Sequence, residues 1–202
     1  MSLRKVKNHL KKDIILEKLI ASTDMLKLPK SGNVFNELVK AIVYQQISYK
    51  AADSIYSRFI ELFDSEKYMP AELSKQKFED LRSAGLSNQK ANYVKNIALF
   101  FEEHQLINCD WERLSDEEII DLLTRIKGVG TWTVHMILIF QLCRPDVFPD
   151  KDLAIQIVMK KLYRINSEKR QLLVDMNKIA HNWSPYRSFA SLYLWSWRRD
   201  NN

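Results

Sequence analysis

The sequence predicts an all-α fold, and three observations lead there. Apolar residues recur at helical spacing almost throughout, with no sustained alternation of the kind that marks strands. Only 4 Gly and 5 Pro occur among 202 residues, too few for the many tight turns of an all-β chain. Residues able to cap helices stand directly ahead of several apolar runs. With 46% hydrophobic residues, the chain has the material for a core in one domain or two closely packed lobes.

In chain order, Arg4, Lys5, Lys7, Lys11 and Lys12 precede the first acid, Asp13. Residues 1–12 read as a basic tail, either solvated or touching a polyanionic partner. A helix follows from about Val34 to Ile47, with Val34, Leu38, Ile42 and Val43 on one face. Ser48 caps the next, whose stripe is Ala51, Ala52, Ile55, Phe59 and Phe63. Tyr68-Met69-Pro70 breaks the pattern, and short helices then run to a stop at Gly85. Ser87 opens a helix through Ala91, Val94, Ile97 and Phe101. Ser115 to Glu118 forms a capping box ahead of Ile119, Leu122, Leu123 and Ile126. The turn Gly128-Val129-Gly130 separates this helix from one running from Thr131 to about Leu142. A helix is expected from Lys151, with Asp150 available as its N-cap, another after Ser167, and a last one started by Ser184-Pro185. The total is about ten helices.

Composition narrows the function. A net charge of +6 suits a polyanionic partner. Two cysteines, Cys109 and Cys143, cannot supply a four-cysteine zinc or iron–sulfur site, and no disulfide framework is expected, in keeping with a reducing compartment. The apolar Ile14-Ile15-Leu16 is broken by Glu17 and Lys18, so no signal peptide is read. No apolar run approaches the ~20 residues that span a bilayer. The expectation is a soluble, monomeric intracellular protein without a membrane partner, in the cytoplasm of a bacterium or the nucleus of a eukaryote.

Two stretches carry chemistry. Ile126-Lys127-Gly128-Val129-Gly130-Thr131 joins two helices by a very short turn. Glycine permits positive φ and close approach of a ligand, and amides opening the second helix attract anions. The turn is therefore either a phosphate grip or a tight helix–helix connection. About twenty residues on, Phe148-Pro149-Asp150-Lys151-Asp152-Leu153-Ala154 places carboxylates at the mouth of a helix. Asp152 is either a favourable first-turn acid or a reacting carboxylate. His135 reads as a packing residue, and the four histidines show no metal-ligand spacing, so no catalytic metal is expected.

Together these stretches resemble the helix-hairpin-helix DNA glycosylase superfamily, and within it the compact form of the 3-methyladenine DNA glycosylase II family. The resemblance runs from about Phe35 to Trp197. It is also carried by Tyr44-Gln45-Gln46-Ile47-Ser48 with Lys50-Ala51-Ala52, by Gly85-Leu86-Ser87 with Lys90, by Gly130-Thr131-Trp132-Thr133, and by Trp183-Ser184-Pro185-Tyr186-Arg187-Ser188 through Leu194-Trp195.

The resemblance implies one glycosylase domain over 13–202, with two lobes, about 35–143 and 13–34 plus 144–202, and Asp152 in the cleft between them. Asp152 is the catalytic carboxylate, opposing the positive charge that grows on the sugar as the base departs. Trp132 stands where strand-cutting relatives carry an amine nucleophile, so the enzyme is monofunctional. Trp132, Met136 and Trp195 form the base pocket, where aromatic rings favour a cationic alkylpurine. Lys127, Gly128, Val129, Gly130 and Thr131 grip phosphate, and their carbonyls can hold a structural monovalent cation. Gln46 occupies the position of a wedge that fills the gap left by the extracted base. Two positions depart from the family pattern: at Met136 the best-known bacterial member has a tyrosine, and Gln46 takes the place of an apolar wedge. The implied partner is damaged double-stranded DNA, whose target base is flipped before hydrolysis. The alternatives are a glycosylase for mismatched or deaminated bases and a non-catalytic helix-hairpin-helix DNA-binding module.

Overall fold

The computed structural model describes residues 2–23, 33–65 and 68–201. It is helical throughout, with twelve α-helices, two short 3-10 turns and no strand among the described residues. The chain divides into two compact units, residues 31–137 and residues 1–30 with 138–202.

The basic start is a helix and not a tail. Leu3–Leu10 (α1) buries Val6 and Leu10, which retain 2% and 1% of their surface, while Arg4, Lys5, Lys11 and Lys12 stay exposed. The cations masked an apolar stripe at Leu3, Val6 and Leu10. Burying Val6 and Leu10 contributes about 1.5–3 kcal/mol each, enough to dock a short helix. Asp13 then caps Ile14–Ser22 (α2), accepting from the amides of Ile15 and Leu16. Its second oxygen accepts from the Tyr163 hydroxyl and the Trp183 indole, both at 3.0 Å.

The 31–137 unit opens with Val34–Tyr44 (α3), capped by Asn33 rather than by a residue marked in the sequence, and ending earlier than Ile47. Ser48 caps Tyr49–Ile60 (α4) and Ser87 caps Asn88–Glu103 (α7), as their spacing predicts. Between them lie Pro70–Lys75 (α5) and Phe78–Ser83 (α6), the latter ending at Gly85 with φ +108°. The capping box of Ser115 and Glu118 opens Asp116–Leu123 (α8). Thr131–Phe140 (α9) follows the glycine turn. The core of this unit is built from Phe35, Leu38 and Ile42 of α3, Ala91, Val94 and Ile97 of α7, and Phe59 of α4.

The other unit is completed by Leu153–Leu162 (α10), Lys169–His181 (α11) and Arg187–Asp200 (α12). Its core gathers Val6, Leu10, Leu16, Ile155, Met159, Met176, Trp183, Phe189 and Leu194. Three boundaries differ from expectation. α10 starts at Leu153 with Asp152, not Asp150, as its N-cap. α11 begins after Glu168 while Ser167 instead donates to Asp175. Ser184-Pro185 is a cis peptide ahead of α12 and not its first turn. The first amide of that helix, on Arg187, is met by a residue distant in sequence, through the carboxylate of Asp146.

Candidate active site and nucleic-acid interface

Asp152 is 8% exposed at the mouth of α10. Its Oδ1 accepts from the Ile155 amide at 2.9 Å and from the Trp195 indole N–H at 3.0 Å. The first bond is a helix cap, and the second ties the carboxylate to α12. Trp195 also packs its ring on Phe140, with centroids 5.5 Å apart and planes tilted by 31°. The carboxylate is thereby held in one orientation by donors that suit its charged form.

The loop leading to Asp152 is anchored in turn. Asp146 receives the Arg187 guanidinium through both oxygens, at 2.8 and 3.0 Å, together with the Ser184 hydroxyl and the Arg187 amide. Burial alone would raise this carboxyl, but the Arg187 and Ser184 hydrogen bonds and the Arg187 charge hold it below the usual carboxylate range. The buried Ser188 accepts from the Val147 amide and donates to the Arg144 carbonyl. Phe148 sits edge-on to Trp183 at 5.6 Å, and the amides of Asp150 and Asp152 close tight turns onto Phe148 and Pro149. Asp150 accepts from Asn177 and leaves the cap to Asp152. Asp146, Arg187 and Ser188 are functional supports that sequence reasoning missed. Trp183 to Ser188 stand out in the sequence as one segment, but their partner Asp146 lies some forty positions away in the chain.

In the 31–137 unit, the hairpin turn is shaped by Gly128, with φ +107°. A Cβ there would stand 2.3 Å from the ring of Tyr93, so that ring lies directly against the glycine backbone. Tyr93 is held by Gln89, and Asn96 on the same helix donates to the Lys127 carbonyl at 3.4 Å. Val129 is buried and its amide closes onto Ile126. Gly130 is different: nothing lies within 4 Å of where its Cβ would be. Its carbonyl accepts the Val134 amide, placing Gly130 at the N-cap of α9. Lys127 is exposed and Thr131 half-buried beside it.

On α9, Thr133, Val134, Ile137 and Leu138 are buried, whereas Trp132 is 39% exposed and Met136, one turn on, is half-buried. His135 is half-buried on the same helix. Gln46 lies in the exposed link between α3 and α4 with φ +58°, a conformation rare outside glycine. Lys90 donates to the Val43 carbonyl at 2.7 Å, closing the end of α3 where this link begins. Burial lowers the Lys90 pKa. The structure thus joins Asp152 to Trp195, sets Gly128 of the 127–131 turn against Tyr93, and places Trp132 and Met136 one turn apart on α9. Among the described residues no three His, Cys, Asp or Glu side chains converge as metal ligands. No described helix is long and apolar enough to cross a membrane.

Residues 39–182 match the family model described as the HhH-GPD superfamily base excision DNA repair protein. DNA-3-methyladenine glycosylase 1 of Schizosaccharomyces pombe is 35% identical over 182 residues, covering 89% of this chain and 79% of its own. YfjP of Bacillus subtilis is 31% identical over 81% of this chain, which spans only 58% of YfjP. Among solved structures, the S. pombe 3-methyladenine DNA glycosylase in complex with abasic DNA superposes with a TM-score of 0.80 at 33% identity, covering 95% of each chain. A DNA-3-methyladenine glycosidase from Bacillus halodurans gives 0.83 at 34% identity, over 96% of this chain and 88% of the other.

Proposed function

The chain belongs to the HhH-GPD superfamily of base excision DNA repair proteins, and from that membership we infer that it is a DNA-3-methyladenine glycosylase. It binds damaged double-stranded DNA and hydrolyses the N-glycosidic bond of alkylated purines, leaving a free base and an abasic site. The observation that carries the reading is the buried Asp152 carboxylate, held on the Ile155 amide and the Trp195 indole.

Each residue has a role that its surroundings support. An N3- or N7-alkylated purine already bears positive charge and leaves readily, so the demand falls on the sugar. Asp152 supplies a fixed negative charge to the oxocarbenium-like centre and orients the attacking water. Trp195 is a positioning residue for that carboxylate as well as an aromatic of the base pocket. Trp132, an indole left partly exposed by its own helix, stacks on the extracted base, and Met136 borders it. An indole cannot form an imine, so the strand is not cut. The Gly128 to Thr131 amides and Lys127 hold phosphate without reading sequence. Because nothing crowds Gly130, the peptide groups of this turn can be approached closely. Carbonyls of the same turn would hold the monovalent cation that the family resemblance implies, adding positive charge beside the phosphate. Gln46 fills the vacated position in the stack. A repair enzyme acts where DNA is, inside the cell, which means the cytoplasm of a bacterium or the nucleus of a eukaryote.

The experiment is incubation of the protein with duplex DNA treated with a methylating agent, followed by chromatographic identification of the released bases. Release of 3-methyladenine is the expected outcome. Release of uracil or a mismatched base from control duplexes, without 3-methyladenine, would replace this reading.

A further inference from the structure

The link between α3 and α4 exposes more than Gln46. Residues 46–50 are all exposed, and two of them are apolar: Ile47 at 38% and Tyr49 at 82% of full exposure. A single exposed aromatic needs no explanation by itself. Tyr49 differs because it heads a series of ring contacts running into the core. Its ring meets Tyr44 at 6.4 Å, Tyr44 meets Tyr56 at 6.0 Å, and Tyr56 stacks on the buried Phe59 at 6.1 Å. Tyr44 donates its hydroxyl to Asp53 at 2.5 Å, and Lys40 lies 5.6 and 5.5 Å from the Tyr44 and Tyr56 ring centres. Burial, then the Asp53 bond, raises the Tyr44 pKa to about 12, so this donor keeps its proton at any ordinary pH. The base of the link is tied as well, by Lys90 on the Val43 carbonyl. An aromatic ring is therefore held out in solvent at the first residue of α4, next to a braced link, with Lys50 following it and Lys40 near the Tyr44 and Tyr56 rings.

We propose that Tyr49 stacks on a nucleobase bordering the gap left when the damaged base is extracted, so that the link from Gln46 to Tyr49 is a two-part probe of the opened duplex. The inference rests on the glycosylase reading and deepens it. Extraction leaves base faces without a stacking partner, and a ring already oriented loses little freedom on covering one. Flanking lysines suit the phosphates on either side. Gln46 supplies polar contact in the gap and Tyr49 the π-face. Recognition then favours a duplex that has already opened over one that has not.

The test uses the full chain with duplexes carrying a tetrahydrofuran abasic-site analogue, and 2-aminopurine either opposite the analogue or beside it. Wild-type binding should quench the 2-aminopurine at one of these positions. Tyr49→Phe should keep both quenching and affinity. Tyr49→Ala should lose the quenching and about tenfold of its affinity for the analogue duplex, with less than about twofold change on an intact duplex. Tyr49 is exposed, so the fold tolerates both changes. If Tyr49→Ala keeps the preference for the analogue, or loses affinity equally for both duplexes, the stacking role is wrong. If wild type releases no 3-methyladenine and binds the analogue no better than intact DNA, the glycosylase reading falls and this inference with it. If excision survives in wild type while the tyrosine variants match it throughout, only this inference falls.

Discussion

Trp195 and Asp152 share a hydrogen bond of 3.0 Å, indole N–H to Oδ1, and that oxygen also caps α10 through the Ile155 amide. On the proposed function the carboxylate serves as structure and as reagent at once, and an amide can take over the first task alone. Asparagine caps helices as well as aspartate and accepts the same two bonds. Asp152→Asn should therefore keep its stability within about 1 kcal/mol. Affinity for duplex DNA should also hold, while excision of 3-methyladenine slows by at least about 100-fold. Thermal unfolding, DNA titration and single-turnover excision separate these. Near-normal excision would remove Asp152 from the chemistry.

Trp195 can be divided in the same way. Trp195→Phe keeps an aromatic face but loses the N–H to Asp152. If positioning matters, this variant loses roughly tenfold in single-turnover rate, one charge-assisted hydrogen bond's worth. Its affinity for an abasic-analogue duplex should not change. A phenylalanine variant with full rate and an alanine variant without it would mean the ring alone matters.

The two hairpin glycines should respond oppositely. At Gly128, a side chain meets positive φ and the Tyr93 ring, so Gly128→Ala should cost about 2 kcal/mol or more in stability. At Gly130 there is open space, and the position is an N-cap where aspartate is favoured. Gly130→Asp should leave the melting temperature unchanged or raise it, yet weaken binding to every duplex through repulsion of phosphate. Binding as tight as wild type at low salt would mean the turn does not face the backbone.

On the proposed function, Trp132 takes the place of a lyase's amine, and Lys151, next to Asp152, is the lysine to exclude. Borohydride treatment of the protein on methylated duplex DNA should trap no adduct, with strand breaks appearing only after alkali. A covalent adduct that disappears in Lys151→Gln would establish an imine and a strand-cutting enzyme.

Asp146 offers a test by pH. Its carboxyl lies below the usual range in the folded protein, mainly through Arg187 and Ser184 working against burial. A depressed carboxylate contributes stability that is fully present above its unfolded pKa and is lost as pH falls through the folded value. Asp146→Asn should thus cost about 1–3 kcal/mol near pH 7, since its Arg187 partner is only partly buried. The difference from wild type should shrink below about pH 4. Urea titrations at both pH values check it; a constant difference would mean the pair's charge contributes nothing.

How far the sequence foretold this structure follows from where each signal lies. Ser48, Ser87 and Ser115 announce their helices because a cap acts over three residues. Gly85 and Gly128 mark turns because φ is a property of one residue. The assignment of caps at 150 and 152 went the other way because both are aspartates, and only the turn closed by the Asp152 amide on Pro149 decides between them. The start of α12 was misplaced because its capping group, Asp146, is remote in sequence. Tyr93 gave no sign at all, since its role is to fit beneath a glycine on another element. The basic run at residues 4–12 drew attention to charge and away from Val6 and Leu10.

One feature of the connectivity bears on how the chain is made. Residues 31–137 are inserted within a unit whose own parts, 1–30 and 138–202, are separated by all of them. Asp13 shows what this demands: its carboxylate must meet Tyr163 and Trp183, synthesised long afterwards. Closing so long an unstructured loop would carry a length-dependent entropy of about 4 kcal/mol. Prior folding of the insert removes most of that length. During synthesis the N-terminal helices must therefore wait, with Leu16 and Leu19 exposed, until the last helices leave the ribosome. Refolding rates should accordingly fall with mutations in the inserted unit's core, such as Phe35→Leu. Mutations at the Asp13 cluster should act on unfolding.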